Sequence, residues 1–172
     1  AKTDLGPMIS ATQRGKAVAQ VEAAVVAGAE LLTGGDDAGF ETGHYLSPCV
    51  LTGVPEDSDL MTEETFGPVA PILPVSDLEE AVAKASGLDV RAGADIYTRD
   101  LKTAITCLKG VRAGSVWIND PLTDNDAGPF GGFKNSGIGR ELGTEGLDAF
   151  REAKHVHMDS EIEVKDWWYP YG

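Results

Sequence analysis

Cysteine is scarce in this sequence, in which Cys49 and Cys107 are the two thiols in 172 residues. Two cysteines are too few for the disulfide scaffold of a small secreted domain, and a chain of this length can bury a core without one. One domain is the usual expectation for this length. We therefore expect a protein of a reducing compartment, with a cytoplasmic location.

Basic residues are also few relative to acidic ones, and long apolar runs are absent. The chain has 14 Lys and Arg against 28 Asp and Glu, a formal net charge of −14 at pH 7. Such a charge repels phosphate backbones and anionic lipid headgroups, so we expect neither a nucleic-acid partner nor a membrane partner. No apolar run reaches the roughly 18 residues of a membrane-spanning helix.

The first residues lack an initiator Met and the basic and apolar regions of a signal peptide. They lead directly into a turn, and we expect such a start inside a longer protein. Metal-ligand spacing is missing too, because His44, His155 and His157 have no Cys or carboxylate at suitable positions. We expect no metal site.

Two nucleotide-binding motifs are absent. The sequence has no G-x-x-x-x-G-K-[ST] loop, and the Gly-rich segment near residue 140 has the spacing Gly137-x-Gly139-x-x-x-Gly143 instead of G-x-G-x-x-G. A generic nucleotide-binding domain is therefore disfavoured.

Helical and strand patterns alternate along the chain. Ser10 is placed to cap a helix that runs to Gly28, and Asp100 to cap another that ends near Gly110. Further helices are predicted at 78–85 and 139–150. Strands are predicted at 29–33, 45–52, 94–98, 115–118 and 156–158, with Pro48 indicating an edge position for the second. This alternation predicts an α/β fold with helices on both faces of a mostly parallel sheet, in three layers.

The segment Thr62-Glu63-Glu64-Thr65-Phe66-Gly67-Pro68-Val69 combines paired carboxylates with an aromatic ring and a Gly-Pro turn. A carboxylate can accept two hydrogen bonds from the vicinal hydroxyls of a ribose, and an aromatic ring can pack on a flat heterocycle. The pattern alone favours a solvated acidic turn, with the ribose site as the alternative.

A second segment, residues 129–143, is rich in glycine and opens a predicted helix. Helix N-termini after such loops bind phosphates, but glycines also allow two backbones to pack closely. The pattern alone favours a structural loop.

Together these segments carry a resemblance to the aldehyde dehydrogenase superfamily. From about Leu5 to about Met158 the motifs follow in the order GPMIS, QR, GAELLTGG, SPCVL, EETFGPVAPI, AGSVWIN, PFGGFKNSGIGRELGTEGLDAF and EAKHV. The resemblance implies the three-layer α/β/α fold of that family's catalytic domain. Residues 1–158 would form the C-terminal portion of this domain, and residues 159–172 an aromatic C-terminal tail.

The resemblance also implies roles for particular residues. Glu64 would hold the nicotinamide ribose hydroxyls of NAD or NADP, and Phe66 would pack beside the nicotinamide. Phe130 would line the aldehyde tunnel, and the loop of residues 120–128 would face the substrate. The remainder of the Gly-rich segment would be architectural.

Family chemistry, as the resemblance implies it, is oxidation of an aldehyde to a carboxylic acid through a cysteine thiohemiacetal. The nucleophilic Cys, the oxyanion-holding Asn and the water-activating Glu all precede the matched region. Cys49 and Cys107 lack a cationic neighbour or a helix N-terminus in sequence, so we expect both to be structural. No catalytic residue is expected in this chain, which would be inactive alone.

Two functions follow from the sequence. The first is part of an NAD(P)-dependent enzyme that acts on a small-molecule aldehyde and forms a homo-oligomer. The alternative is a free-standing, catalytically inactive relative that serves as a binding or assembly module, because exposed apolar surfaces usually contact a partner.

Overall fold

Helices and strands alternate along most of the chain. The computed structural model describes residues 4–121, 123–161, 163–165 and 167. Within them the helices are α1 (Ala11–Val26), α2 (Asp59–Thr62), α3 (Leu78–Gly87), α4 (Leu101–Gly110) and α5 (Gly143–Asp148). The strands are β1 (Glu30–Thr33), β2 (Cys49–Thr52), β3 (Val69–Ile72), β4 (Val90–Arg91), β5 (Gly93–Ile96), β6 (Ser115–Ile118) and β7 (Phe133–Lys134).

The three longer helices begin at polar caps. The Ser10 hydroxyl accepts a hydrogen bond from the Gln13 backbone N at 3.1 Å, as predicted for α1. The Asp77 and Asp100 carboxylates accept in the same way from Glu80 N at 2.8 Å and Thr103 N at 2.7 Å. These caps satisfy backbone donors that have no partner inside the helix. The three helices predicted at these places are confirmed as α1, α3 and α4.

Strand pairing divides the strands among three small sheets. In the first, β2 lies between β1 and β3 and pairs antiparallel with β1 and parallel with β3. In the second, β5 pairs parallel with β6, and in the third, β4 pairs antiparallel with β7. The predicted α/β class is confirmed. The two parallel strand pairs of this class, β2 with β3 and β5 with β6, each extend over four residues.

Three sequence predictions of local structure are wrong. β2 is the central strand of its sheet, although Pro48 indicated an edge, because the strand begins one residue later and Cys49 N donates to Pro68 O at 2.8 Å. The predicted helix at 139–150 shrinks to α5, since Gly139 and Leu142 adopt positive φ angles of 88° and 59°. Residues 156–158 form no strand, because no described strand pairs with them.

The main core lies between α1 and the sheet formed by β1, β2 and β3. Leu51 of β2 is fully buried there. The buried members of this core are Ala17, Val21, Ala24, Ala29, Leu46, Cys49, Leu51, Val54 and Leu60. Fewer side chains are buried in the second half, where α4 contributes Ala104 and Cys107. The first half of the chain is therefore better packed than the second half.

Of the helices in the described part of the chain, none has the length and apolarity to cross a membrane. The predicted aromatic tail falls partly on residues 162, 166 and 168–172, which lie outside the described residues.

Candidate functional site

The carboxylate-aromatic segment, residues 63–67, lies against α1. The Gln13 side-chain amide donates to Thr65 O at 2.8 Å, and the Lys16 ammonium contacts Glu64 O at 3.5 Å. Gly67 packs so closely on the same helix that a Cβ atom would lie 3.1 Å from the Ala17 Cβ. Because α1 holds the backbone of this segment, the side chains of Glu64 and Phe66 are left exposed.

Phe66 has an unusual backbone for its residue type. Its φ is +49°, in the left-handed region that costs a bulky residue of the order of 1 kcal/mol or more. The ring is nevertheless 70% exposed, so burial of the side chain does not offset this cost. The contacts of α1 with Thr65 and Gly67 on either side are what hold the conformation.

The two adjacent carboxylates have different neighbours. Glu63 forms an ion pair with Lys16 at 3.2 Å. Within the described residues, the carboxylate of Glu64 has no ion pair or hydrogen bond. Glu64 therefore keeps its oxygens available for external hydroxyls, and Phe66 offers an exposed ring two residues away. This arrangement fits a ribose next to a flat heterocycle.

Sequence reasoning missed Gln13 and Lys16. Their contacts with residues 63–65 span about fifty positions of the chain, and a single sequence does not reveal such pairs. The available signal was their spacing of three residues in a predicted helix, which places both on one face of α1.

Phe130 lies elsewhere, beside β6 and the loop of residues 120–128. A pocket of about 210 Å³ is lined by Gly114, Ser115, Val116, Trp117, Thr123, Asp124, Asn125, Gly128, Pro129 and Phe130. Phe130 is held in place by a bridge with Glu141, in which the two backbone N–H groups donate at 2.7 and 2.8 Å. The structure thus brings Phe130 and the predicted substrate loop to one pocket.

The described residues of the 120–128 loop are held by hydrogen bonds within the loop and to β6. The Trp117 indole donates to Thr123 O at 2.7 Å, and the Thr123 hydroxyl donates to Asp120 O at 2.8 Å. Asn125 accepts from Ala127 N at 3.1 Å through its side-chain oxygen. These bonds give the pocket a defined wall.

The Gly-rich segment makes close backbone contacts. A Cβ atom on Gly114 would lie 1.7 Å from Gly131 O, so the approach of these two backbones requires glycine. The Arg140 guanidinium donates to Gly132 O at 3.1 Å and lies 5.4 Å from the centre of the Phe133 ring. These contacts agree with the architectural role expected for the segment.

Glu64 and Phe66 are not joined to Phe130 by any hydrogen bond or ring contact in the described part of the chain. The first two precede β3, whereas Phe130 borders the sheet of β5 and β6. The structure therefore contains two separate candidate surfaces, one at Glu64 and Phe66 and one at the Phe130 pocket. Their use in one reaction depends on the groups that lie between them.

Both thiols are buried. Cys49 is 1% exposed in β2, and burial raises the pKa of its thiol, with the negative charge of Asp36 raising it further. Cys107 is buried in α4. A nucleophilic cysteine needs a lowered pKa and access, so Cys49 has the opposite properties. Over the described residues, no group of three or more His, Cys, Asp or Glu side chains is arranged to hold a metal ion.

A family model and the related sequences and structures all indicate one family. The family model described as "Aldehyde dehydrogenase family" matches residues 1–156. The mitochondrial aldehyde dehydrogenase of Leishmania tarentolae is 38% identical over 162 residues, which are 94% of this chain and 32% of the relative.

Solved structures agree with this match. The NAD-dependent aldehyde dehydrogenase from Sinorhizobium meliloti has a TM-score of 0.90 and 38% identity over 96% of this chain and 33% of its own. The NAD+ complex of an aldehyde dehydrogenase from Bacillus cereus has a TM-score of 0.87 and 37% identity, over 92% of this chain and 32% of its own. This chain spans about a third of the length of these relatives.

Proposed function

Because the chain belongs to the aldehyde dehydrogenase family, we propose that it forms the nicotinamide-side wall and the substrate loop of an enzyme that oxidises aldehydes to carboxylic acids. Residues 1–158 would be the C-terminal portion of the catalytic domain, followed by a tail at 159–172. The match of the family model to residues 1–156 supports this division.

Glu64 and Phe66 would hold the nicotinamide half of the cofactor. The observation that carries this assignment is the contrast between Glu63, paired with Lys16, and Glu64, whose carboxylate is exposed beside the strained, exposed Phe66. The carboxylate would accept hydrogen bonds from the two ribose hydroxyls, and the ring would pack beside the heterocycle. The chemistry that a bound nicotinamide supplies is acceptance of a hydride.

NAD is the cofactor that the related structures favour, since one of them is an NAD+ complex. NADP stays open because it differs from NAD at the adenosine ribose, and no residue in this chain is assigned to that part of the cofactor. Titration of the purified protein with both cofactors would decide between them.

Phe130 and the 120–128 loop would receive the aldehyde. Their shared pocket borders Trp117 and combines an aromatic ring with loop carboxylate and amide groups. The Phe130 ring would contact the apolar part of the substrate and limit the access of water to it.

We propose that the nucleophile comes from outside these 172 residues. A cysteine thiolate would attack the aldehyde carbon to give a thiohemiacetal. Loss of a hydride from that carbon, for which the nicotinamide would be the acceptor, would leave a thioester, and attack by water would then release the carboxylate and restore the thiol. Neither Cys49 nor Cys107 suits this step, because both are buried. The chain alone would therefore bind ligands at these sites but would not oxidise an aldehyde.

The location and assembly are also proposals. Both described thiols are free, which suits a reducing compartment, and the cytoplasm is our proposed location, although one relative is named mitochondrial. A homo-oligomer is proposed because several large apolar side chains, including Ile9 and Phe150, are highly exposed. A sedimentation measurement on the complete protein would determine the number of subunits.

The assignment of Glu64 can be tested in the full-length protein that carries this chain. We expect Glu64→Gln to raise the KM for the cofactor about tenfold or more, because a charge-assisted hydrogen bond is lost. Glu63→Gln is the matched control, since it removes the same charge one residue earlier and should change that KM less than about threefold. Equal effects of the two substitutions would overturn the assignment.

A further inference from the structure

Asn119 stands at the point where β6 ends and the 120–128 loop begins. It is one of a few non-glycine residues with a positive φ, at +59°. Asparagine tolerates this left-handed conformation better than most residues because its short amide can form local hydrogen bonds. The chain changes direction here, from the sheet into the proposed substrate loop.

The Asn119 side chain imitates a peptide group. Its Nδ2 donates to Thr98 O at 2.7 Å, and its Oδ1 accepts from Thr98 N at 2.9 Å. Its own backbone N donates to Ile96 O at 2.9 Å. These three bonds continue the parallel ladder of β5 and β6 beyond Ile96, so the first residue of the loop starts from a fixed position.

The loop has a second attachment four residues further on. The Trp117 indole donates to Thr123 O at 2.7 Å. Gly93 of β5 lies so close to this indole that a Cβ atom there would approach Trp117 Cζ3 to 2.3 Å. The loop is attached to the β5-β6 sheet at two points, at its root through Asn119 and near its middle through Thr123, which accepts from Trp117.

These contacts determine the shape of the neighbouring pocket. Thr123, Asp124 and Asn125 of the loop face the same cavity as Phe130. A shift of the loop root would move these three residues relative to the Phe130 ring, which is held separately through Glu141.

We propose that Asn119 is a positioning residue whose amide fixes the root of the substrate loop and thereby selects which aldehydes the Phe130 pocket accepts. The inference rests on the proposed function of this loop as the aldehyde-facing wall. Both hydrogen bonds of the Asn119 amide are to the Thr98 backbone, so we assign it an action through Thr98 and the loop.

Two substitutions distinguish the effect of the Asn119 amide from the effect of its left-handed backbone conformation. Asn119→Gly keeps the left-handed backbone and removes both side-chain hydrogen bonds. Asn119→Asp keeps an acceptor for Thr98 N but replaces the donor to Thr98 O. Asn135→Gly is the control, since Asn135 has an exposed side chain for which no described hydrogen bond is seen.

The first measurement follows the loop without activity. In the 172-residue chain with Trp167→Phe and Trp168→Phe, Trp117 is the remaining tryptophan of three. We expect Asn119→Gly and Asn119→Asp to raise the accessibility of Trp117 to acrylamide quenching, with far-UV circular dichroism unchanged, and Asn135→Gly to leave it unaltered. Unchanged quenching in both Asn119 variants would overturn the positioning role.

The second measurement is kinetic and uses the full-length protein. We expect the ratio of kcat/KM between a bulky aromatic aldehyde and acetaldehyde to change at least about fivefold in both Asn119 variants, with the cofactor KM within about twofold. An equal loss for all aldehydes together with a raised cofactor KM would show a merely structural role and overturn the proposal. Changed quenching with an unchanged aldehyde ratio would overturn the aldehyde-facing assignment of the loop, while leaving the cofactor assignment of Glu64 intact.

Discussion

Residues of one chemical type acquire different roles here through their neighbours. Glu63 and Glu64 are adjacent, yet one is paired with Lys16 and the other is exposed beside Phe66. The strained φ of Phe66 is held by contacts of α1 with the residues on either side, since Gln13 donates to Thr65 O and Gly67 packs against Ala17. The proposed cofactor contact therefore depends on three or four positions and not on the acidic pair alone.

Glycine substitutions test the close backbone approach beside the Phe130 pocket. Gly114→Ala places a Cβ 1.7 Å from Gly131 O, and we expect it to lower the free energy of unfolding by more than about 2 kcal/mol. Gly15→Ala is the control, because this helical position has nothing within 4 Å, and it should raise stability by about 0.5–1 kcal/mol. Urea denaturation measures both, and equal stability of the Gly114 variant and the parent would contradict the contact.

The buried thiol gives a prediction with a defined pH dependence. Because burial and Asp36 raise the pKa of Cys49 in the folded chain, its contribution to stability is present below the unfolded thiol pKa and is lost as pH rises through the higher folded value. Alkylation of Cys49 by iodoacetamide, followed by mass spectrometry, should be slow at pH 8 in the native chain and fast in urea. Rapid native alkylation would contradict a structural thiol and would reopen Cys49 as a nucleophile.

At this scale the resemblance selected Glu64, Phe66 and Phe130, and their roles stay predictions. The structure shows Glu64 and Phe66 exposed, and it places Phe130 in one pocket with residues of the 120–128 loop. Gln13, Lys16 and the Asn119–Thr98 pair could not be found, because their hydrogen bonds join residues 21 to 52 positions apart. Such partners depend on the packing of elements, which local spacing does not encode.

Among the elements, α1 contributes most to the core and to the candidate cofactor site. It covers one face of the first sheet and also holds residues 63–67. Ser10 caps its first turn, so we expect Ser10→Ala to cost about 1 kcal/mol and to lower Tm by about 2–4 °C. Thr12→Ala is the control from the same exposed turn. Calorimetry that finds no difference between the two variants would contradict the cap.

Helices were easier to predict than strands for a physical reason. A capping residue and an apolar period are local, so α1, α3 and α4 follow from short stretches of sequence. A strand exists through its partner, and neither the central place of β2 nor the missing strand at 156–158 is written in the residues themselves. Pro48 was misleading because it lies just outside β2.

The whole molecule exposes more surface than a compact protein of its size. Its accessible area is 12804 Å² for 18.1 kDa, whereas a compact monomer of that mass exposes about 8,000 Å². Apolar side chains such as Val26, Ile138 and Phe150 contribute to the excess. An open surface of this kind fits the proposal that the chain works against further protein, either in the same polypeptide or in a partner.

This surface leads to a prediction about the isolated chain. We expect it to bind the dye ANS and to self-associate, because large apolar patches are covered by contact with other protein. The full-length protein at equal concentration is the control and should bind little dye. A monomeric, dye-free 172-residue chain in analytical ultracentrifugation would contradict the proposed extra contacts.

The most direct test of the proposed function is aldehyde-dependent reduction of NAD or NADP, measured for the 172-residue chain and for the full-length protein that carries it. We predict turnover by the full-length protein, and none by the chain even when folded. Turnover by the chain alone would contradict an external nucleophile. A folded full-length protein with no turnover on any aldehyde would contradict the enzyme and favour a binding or assembly module.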